Sequence, residues 1–299
     1  MREYLIATPG YAHMCGGIKS LHKLAHMLNQ RGYKAYVTGD YCNPGFNTPM
    51  AKLLSQEKLR DLQHNGIILY PDIVPANPCR FTHVAKWWLG LSQPPSPNQI
   101  TFTMSENHKG AYADSISGTL MIWHVEDYFK LPEVENRQKP CWYPGKGGDL
   151  PRVQGIDHGT FITAGVPPTR QELANILQQA TILYVYDSMT VMIQEARLCG
   201  CPVEIIGFWP FAKETIQQDT FGTSGVRYLG DEINLEQMKS ELSLFRERYK
   251  EREAESEKEL DIFIDKTQNW NPNNIYVDNP GPYLHTIYGH QNFELWATR

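Results

Sequence analysis

The feature that most limits how this chain can fold is an alternation: short uncharged runs rich in β-branched and aromatic residues, each followed by a segment of helical period. The run TILYVY, residues 181–186, shows it best. Such a run suits a strand buried on both faces, as in a parallel sheet. After it, VMIQEARLC (191–199) forms a short helical segment, Gly200 offers a left-handed stop, and CPVEII (201–206) resumes as a strand. Ser188 or Thr190 is the expected cap of that helix. The chain opens in the same way, with strand EYLIAT, loop PGYAHMCGG, helix IKSLHKLAHMLNQRG and strand KAYVT. Further strands are expected at 66–74, 99–104 and 119–125, with a helix through FTHVAKWWLGL (81–91). Strands alternating with helices predict an α/β protein whose sheets are largely parallel and covered on both faces.

At 299 residues the chain suits two domains, each able to bury its own core. The polar, proline-bounded LPEVENRQKP (131–140) marks the expected boundary, giving domains at 1–135 and 136–270. A cleft is expected between them. The aromatic-rich tail 271–299 is too apolar to read as disordered and is expected to pack back on the first domain. Residues 233–267 alternate acidic and basic side chains and read as a helix with a solvated face.

The formal net charge of −5 gives no global attraction to nucleic acid or to an anionic membrane. The N-terminal MREYLIATPG has too short an apolar run for a secretory signal, and no stretch reaches the roughly 18 apolar residues of a spanning helix. A cytoplasmic protein is therefore expected. The six cysteines lack paired metal spacing, so structural thiols rather than a metal site are expected, Cys199 and Cys201 included. No G-x-G-x-x-G follows the first strand, which argues against a dinucleotide cofactor.

Two acidic residues stand out around the strand 181–186. Asp187 follows it directly, where ligands bind in open α/β sheets, and Glu195 lies about two turns further on. Spacing alone fits an ordinary exposed helix equally well. Lys146 sits in GKGG (145–148), whose glycines let backbone approach an anion closely, although ordinary turns share that composition. Trp87 and Trp88 suit a core better than a sugar platform.

Three stretches resemble nucleotide-sugar-dependent glycosyltransferases of the GT-B fold, particularly the family-4-like group of bacterial glycan and polysaccharide assembly. They are CGGIKSLHKLAHMLNQRGYKAYVTG (15–39), YPDIVPANPCRFTHVAKWWLG (70–90) and TRQELANILQQATILYVYDSMTVMIQEARLCGCPVEII (169–206). The resemblance implies two Rossmann-like domains facing a cleft, a nucleoside diphosphate sugar as donor substrate, no metal and no further cofactor, and transfer with retention to a glycan or other hydroxyl acceptor. By the same resemblance Glu195 accepts from the ribose hydroxyls, Asp187 orients the donor sugar, and Ser188 and Thr190 with Lys146 meet the diphosphate. Gly16 and Gly17 open the first helix toward acceptor and diphosphate, and His124 faces the donor sugar. Glu126 and Asp127 are alternative bases. Asp72 and Asn77 are placed to shape an acceptor site or to form a proline-rich turn. The sequence departs from the pattern in two places: Asp187 stands where the group usually has Glu, and its diphosphate arginine is missing, with Arg152 a substitute by position only. A phage-type DNA glycosyltransferase acting on a hydroxymethylated base is the second reading, disfavoured by the charge. A non-catalytic nucleotide-sugar-binding protein is the third.

Overall fold

The computed structural model describes residues 1–90, 94–96, 98–145, 156, 158–207 and 221–272. The chain divides into two compact units, Met1–His124 together with the chain from Glu255 onward, and Val125–Ala254. The passage between them thus falls at 124/125 and again at 254/255, whereas the sequence division lies at 135 and 270. The reason is local. Gln178 donates to the carbonyls of Tyr128 and Lys130, and Arg137 donates to that of Ala180 at 2.8 Å, so the polar stretch 125–138 is bonded into the second unit.

Unit 1 holds a six-stranded parallel sheet. Its strands are β1 (Tyr4–Ile6), β2 (Ala35–Val37), β3 (Ile67–Pro71), β4 (His83–Trp88), β5 (Ile100–Thr103) and β6 (Gly118–Thr119), in the order β2-β1-β3-β4-β5-β6. Helix α1 (Gly16–Gln30) buries Ile18, Leu21, Leu24, Ala25 and Leu28, the spacing read from the sequence. It ends at Gly32, φ +82°, where the N–H of Gly32 bonds to Asn29 O and that of Tyr33 to Leu28 O, the paired bonds of a Schellman stop. Helix α2 (Gln56–Asn65), absent from the sequence reading, starts at Ser55, whose hydroxyl accepts from Lys58 N at 3.1 Å, and buries Leu59 and Leu62.

The two faces of this sheet are covered differently. On one, Ile6, Leu69, Ala85, Trp87 and Phe102 pack against α1 and against Leu260, Phe263 and Ile264. On the other, Leu5, Ile68, Tyr70 and Val84 meet α2 and the Cys79–Phe81 loop. The helix expected through 81–91 is instead strand β4, with all six residues buried. Its residues alternate between the two faces and both faces are buried, so the apolar residues Val84, Ala85, Trp87 and Trp88 show no period of two. The expected strand 119–125 is regular only at its start, although Leu120 and Ile122 still enter the core. Trp87 and Trp88 are core residues, and the Trp87 N–H donates to Leu120 O at 2.9 Å.

Unit 2 holds a five-stranded parallel sheet of β7 (Lys139–Tyr143), β8 (Thr160–Phe161), β9 (Ala180–Val185), β10 (Val203–Ile205) and β11 (Val226–Tyr228), ordered β11-β10-β9-β7-β8. Helix α3 (Arg170–Gln179) starts with a reciprocal capping box between Thr169 and Glu172. Helix α4 (Met192–Leu198) ends at Gly200, φ +74°, where Gly200 N bonds to Arg197 O and Cys201 N to Ala196 O, the second Schellman stop of the chain.

The charged stretch becomes α5 (Leu235–Asn269), and it is more than a solvated helix. Met238, Leu242, Phe245 and Tyr249 are buried in its first part, Leu260, Phe263 and Ile264 in its last. The division at 254/255 makes the first group part of unit 2 and the second part of unit 1. Beyond residue 272 the tail lies outside the described residues. Among the described residues no helix is long and apolar enough to cross a membrane.

Candidate functional site

In both sheets the strand order reverses around one point, between β1 and β3 in unit 1 and between β7 and β9 in unit 2. Loops leaving the carboxyl ends of such strands diverge, and ligands of open α/β sheets bind there. In unit 2 the two strands shift register between Lys139 and Cys141, then stay in register from Cys141 and Leu183 to the pair Tyr143 and Val185, after which the N–H of Tyr186 bonds to Tyr143 O at 3.0 Å. The next residues on the two sides are Pro144-Gly145 and Asp187. They meet in close contact.

Gly145 has φ +49°, and a Cβ there would lie 2.5 Å from the Asp187 Cβ and 2.7 Å from its Oδ2. Only glycine fits this place, for reasons of both space and backbone conformation. The first glycine of GKGG therefore abuts the Asp187 carboxylate. Lys146 and Arg152 lie outside the described residues. Asp187 is 4% exposed, and its Oδ1 accepts from Met189 N at 3.0 Å, a local turn that fixes the carboxylate at the strand end. Ser188 is buried beside it. The N-cap of α4 is Val191, with no side-chain cap, rather than the expected Ser188 or Thr190; the Thr190 hydroxyl lies one residue earlier and accepts from Met192 N at 3.3 Å.

Glu195 has a different setting from the one expected. It is fully enclosed at 0% exposure, and its Oε1 accepts from the Nη2 of Arg170. Arg170 also donates to Glu126, at 3.0 Å from Nη2 and 3.3 Å from Nε, and lies over the Phe129 ring at 4.5 Å from its centre. Burial acts against the arginine's charge, yet Glu195 and Glu126 outweigh it and hold its pKa above the ordinary value. Glu195, read as a carboxylate presented to a ribose, has a protein cation as its described partner in place of two hydroxyls. Glu126, an alternative base, has both oxygens taken by the same guanidinium, which makes it a poor proton acceptor. The sequence reading missed Arg170 although it is the first residue of α3, directly after the capping Thr169. Its position at N1 of a helix that packs beside α4 was the available signal.

In unit 1, Gly16 and Gly17 form the first turn of α1 close to the β1/β3 reversal, with no acidic residue in that turn and no side-chain cap from Cys15. A Cβ at Gly17 would meet Leu89 at an ordinary 3.5 Å, so space does not demand glycine at that position. His124 packs edge-on against Phe46, with ring centres 4.8 Å apart. Phe46 in turn stacks on His26 at 5.0 Å and meets Tyr11 edge-on at 5.9 Å. His26 accepts from Asn47 N at 2.9 Å, and burial together with Lys23 lowers its pKa. This cluster of aromatic rings and histidines was not visible as a unit in the sequence. Asn77 is a structural pin: its Oδ1 accepts from Tyr70 and Phe81 N, and its Nδ2 donates to Phe81 O at 2.8 Å. Both ends of the amide are thus bonded, to β3 and to the loop that follows it. Asp72 is buried and accepts from Gly90 N at 3.0 Å.

Among the described residues no group of three or more His, Cys, Asp or Glu side chains is arranged to hold a metal. Cys79, Cys141, Cys199 and Cys201 are buried free thiols. Cys79 is pushed up to about 11 by its burial.

Fold and site together define a chain of two Rossmann-like α/β units, with an acidic strand end against a glycine loop at the reversal point of the second sheet. No family model and no curated protein matches the sequence. Solved structures of similar fold include an α-glucosyltransferase in complex with UDP and a 13-mer DNA, at 11% identity and TM-score 0.41, covering 89% of this chain and 94% of that one. A spinosyn rhamnosyltransferase complexed with thymidine diphosphate follows at 8% identity and TM-score 0.42, covering 90% and 100%. A Listeria monocytogenes protein described as a UDP-N-acetylglucosamine 2-epimerase stands at 11% and 0.44, covering 100% and 98%. At that level of likeness the substrates of those proteins do not transfer to this chain.

Proposed function

We propose that the chain is a glycosyltransferase that moves a sugar from a nucleoside diphosphate sugar to an acceptor hydroxyl, with retention, in glycan or polysaccharide synthesis in the cytoplasm. The observation that carries the reading is the contact of Gly145 with Asp187 at the reversal point of the second sheet. It joins two motifs, GKGG and the acid after TILYVY, that the sequence keeps about 40 residues apart. Departure of a nucleoside diphosphate builds negative charge on phosphate, which a glycine loop with its N–H groups and a lysine can stabilise without a metal. In this reading Lys146 and the GKGG backbone meet the diphosphate, helped by the hydroxyls of Ser188 and Thr190. Asp187 accepts hydrogen bonds from the donor sugar. Glu195 acts indirectly, by neutralising the buried Arg170. Gly16, Gly17 and His124 belong to the acceptor side.

The experiment is a thermal-shift and hydrolysis screen against a panel of nucleoside diphosphate sugars, with the wild type beside Asp187→Asn. A ligand that binds only the folded state raises its stability in proportion to the logarithm of concentration over dissociation constant. The expected result is one donor that stabilises the wild type and releases nucleotide, a response at least tenfold weaker in Asp187→Asn. A panel in which every donor leaves both proteins unshifted overturns the proposal.

A further inference from the structure

The replacement of the expected helix 81–91 by β4 has a chemical consequence for the sheet of unit 1. On the α2 side, α2 and the Cys79–Phe81 loop cover Leu5, Ile68, Tyr70 and Val84, while β4 and β5 turn Lys86, Trp88 and Thr101 toward the loop 72–82 and residues 94–96, 98 and 99. A cavity of about 270 Å³ remains there, lined by Asp72, Phe81, Lys86, Trp88, Gln99 and Thr101 among others. Central strands of a parallel sheet are normally apolar on both faces. This one buries a lysine at 7% exposure and a threonine at 1%.

The polar groups in the cavity are incompletely answered by the protein. The Lys86 ammonium lies 5.3 Å from the Tyr70 ring centre and donates to Val74 O, one of the three bonds it can make. The Thr101 hydroxyl is buried with no hydrogen-bond partner among the described residues. Burial lowers Lys86 to about 8, with Asp72 close enough to oppose that fall. A buried hydroxyl and a buried ammonium left with spare donors lose free energy unless a ligand or water answers them.

The complement of this set is specific. The Lys86 ammonium, with donors to spare, calls for an anion, and the Thr101 hydroxyl can donate or accept; both Asp72 oxygens already accept backbone N–H bonds, from Ile73 and Gly90. The aromatic faces of Phe81 and Trp88 favour the apolar side of a ring. The volume is at or below the lower end of ligand clefts, which run from about 300 to 1,000 Å³, and so limits the occupant to a single small ring. We propose that this cavity binds a sugar acid, a hydroxylated ring bearing one carboxylate, whose carboxylate meets Lys86 and one of whose hydroxyls meets Thr101. Every group involved belongs to unit 1, and none of them is among the donor-side residues of the glycosyl-transfer reading.

The test is titration calorimetry of the full chain with D-glucuronate, D-glucose and acetate at neutral pH, repeated on Lys86→Met and Thr101→Val after circular dichroism has shown each variant folded. Glucuronate is expected to bind at least tenfold tighter than glucose, which lacks the carboxylate, and than acetate, which lacks the hydroxyls. Lys86→Met is expected to lose at least tenfold of that affinity, and the isosteric Thr101→Val several-fold. Glucose binding as well as glucuronate, wild-type affinity in Lys86→Met, or no heat from glucuronate up to about 10 mM would each overturn it.

Discussion

Removing the Glu195 carboxylate is predicted to act first on stability. In Glu195→Ala the Arg170 guanidinium, 6% exposed, keeps its bonds to Glu126 at 3.0 and 3.3 Å but loses the carboxylate that shares its burial. Breaking a buried pair from one side costs about 3–5 kcal/mol, because the surviving charge is left without enough compensation. The remaining bonds to Glu126 place this case near the lower figure, so the loss is about 3 kcal/mol. That is a large part of the roughly 5–15 kcal/mol by which domains are stable. The double variant Arg170→Met/Glu195→Leu removes both charges of the enclosed pair and fills the space with apolar side chains, but it also takes the guanidinium from Glu126, 13% exposed, so it is predicted to recover part of that loss. Urea unfolding followed by circular dichroism reads the comparison as a midpoint shift at constant slope. A cost below about 1 kcal/mol for Glu195→Ala, or a double variant as unstable as the sum of the singles, would refute the account of Arg170 and Glu195 as one buried unit. The double variant also separates stability from ligand contact. If Glu195 acts only through Arg170, its nucleotide-sugar response returns once the fold is restored.

Gly145→Ala is predicted to destabilise unit 2 by at least about 1–2 kcal/mol and to remove nucleotide-sugar stabilisation, since its Cβ would stand 2.5 Å from that of Asp187 on a backbone at φ +49°; a melt and a donor titration check both. Thr169→Ala is predicted to cost about 1 kcal/mol through the lost capping box, read from its unfolding midpoint, with no change in ligand specificity. Lys86 has a folded pKa of about 8, below its unfolded value of 10.5, so its charged form is disfavoured by folding. That penalty is complete below pH 8 and disappears as pH rises to about 10.5, a change on the order of 3 kcal/mol. The wild type is therefore predicted to gain stability relative to Lys86→Met across that window, in which Asp72 and Tyr70 act alike on both proteins. A difference between the two that stays constant with pH would refute this assignment.

What could be read in the sequence follows from how local each signal is. The β1–α1–β2 start and the β9–α4–β10 unit were legible because their helices carry buried apolar residues and end at glycines whose positive φ no other residue adopts cheaply. Both faces of β4 are buried, so its sequence lacks the clean alternation of a half-exposed strand and was mistaken for a helix. The ten-residue α2 is mostly polar, with Leu59 and Leu62 as its buried apolar anchors, too few to announce it. Asp187 was legible because position after a strand is a sequence property. Its contact with Gly145 and the capture of Glu195 by Arg170 were not, since each joins residues that only the parallel order of β7 and β9 and the packing of α3 on α4 bring together.

Helix α5 sets an order of events in synthesis. The sheet of unit 1 is drawn from residues before Val125, yet Leu260, Phe263 and Ile264 of its core arrive only after the whole of unit 2. At about 5–20 residues per second, the interval between His124 and Ile264 leaves the nascent sheet waiting roughly 7–28 s with Tyr4 and Phe102 short of a core partner, Phe263. The first unit to leave the ribosome is therefore the last to close. Unit 2, whose residues run without interruption from 125 to 254, is made whole in that interval.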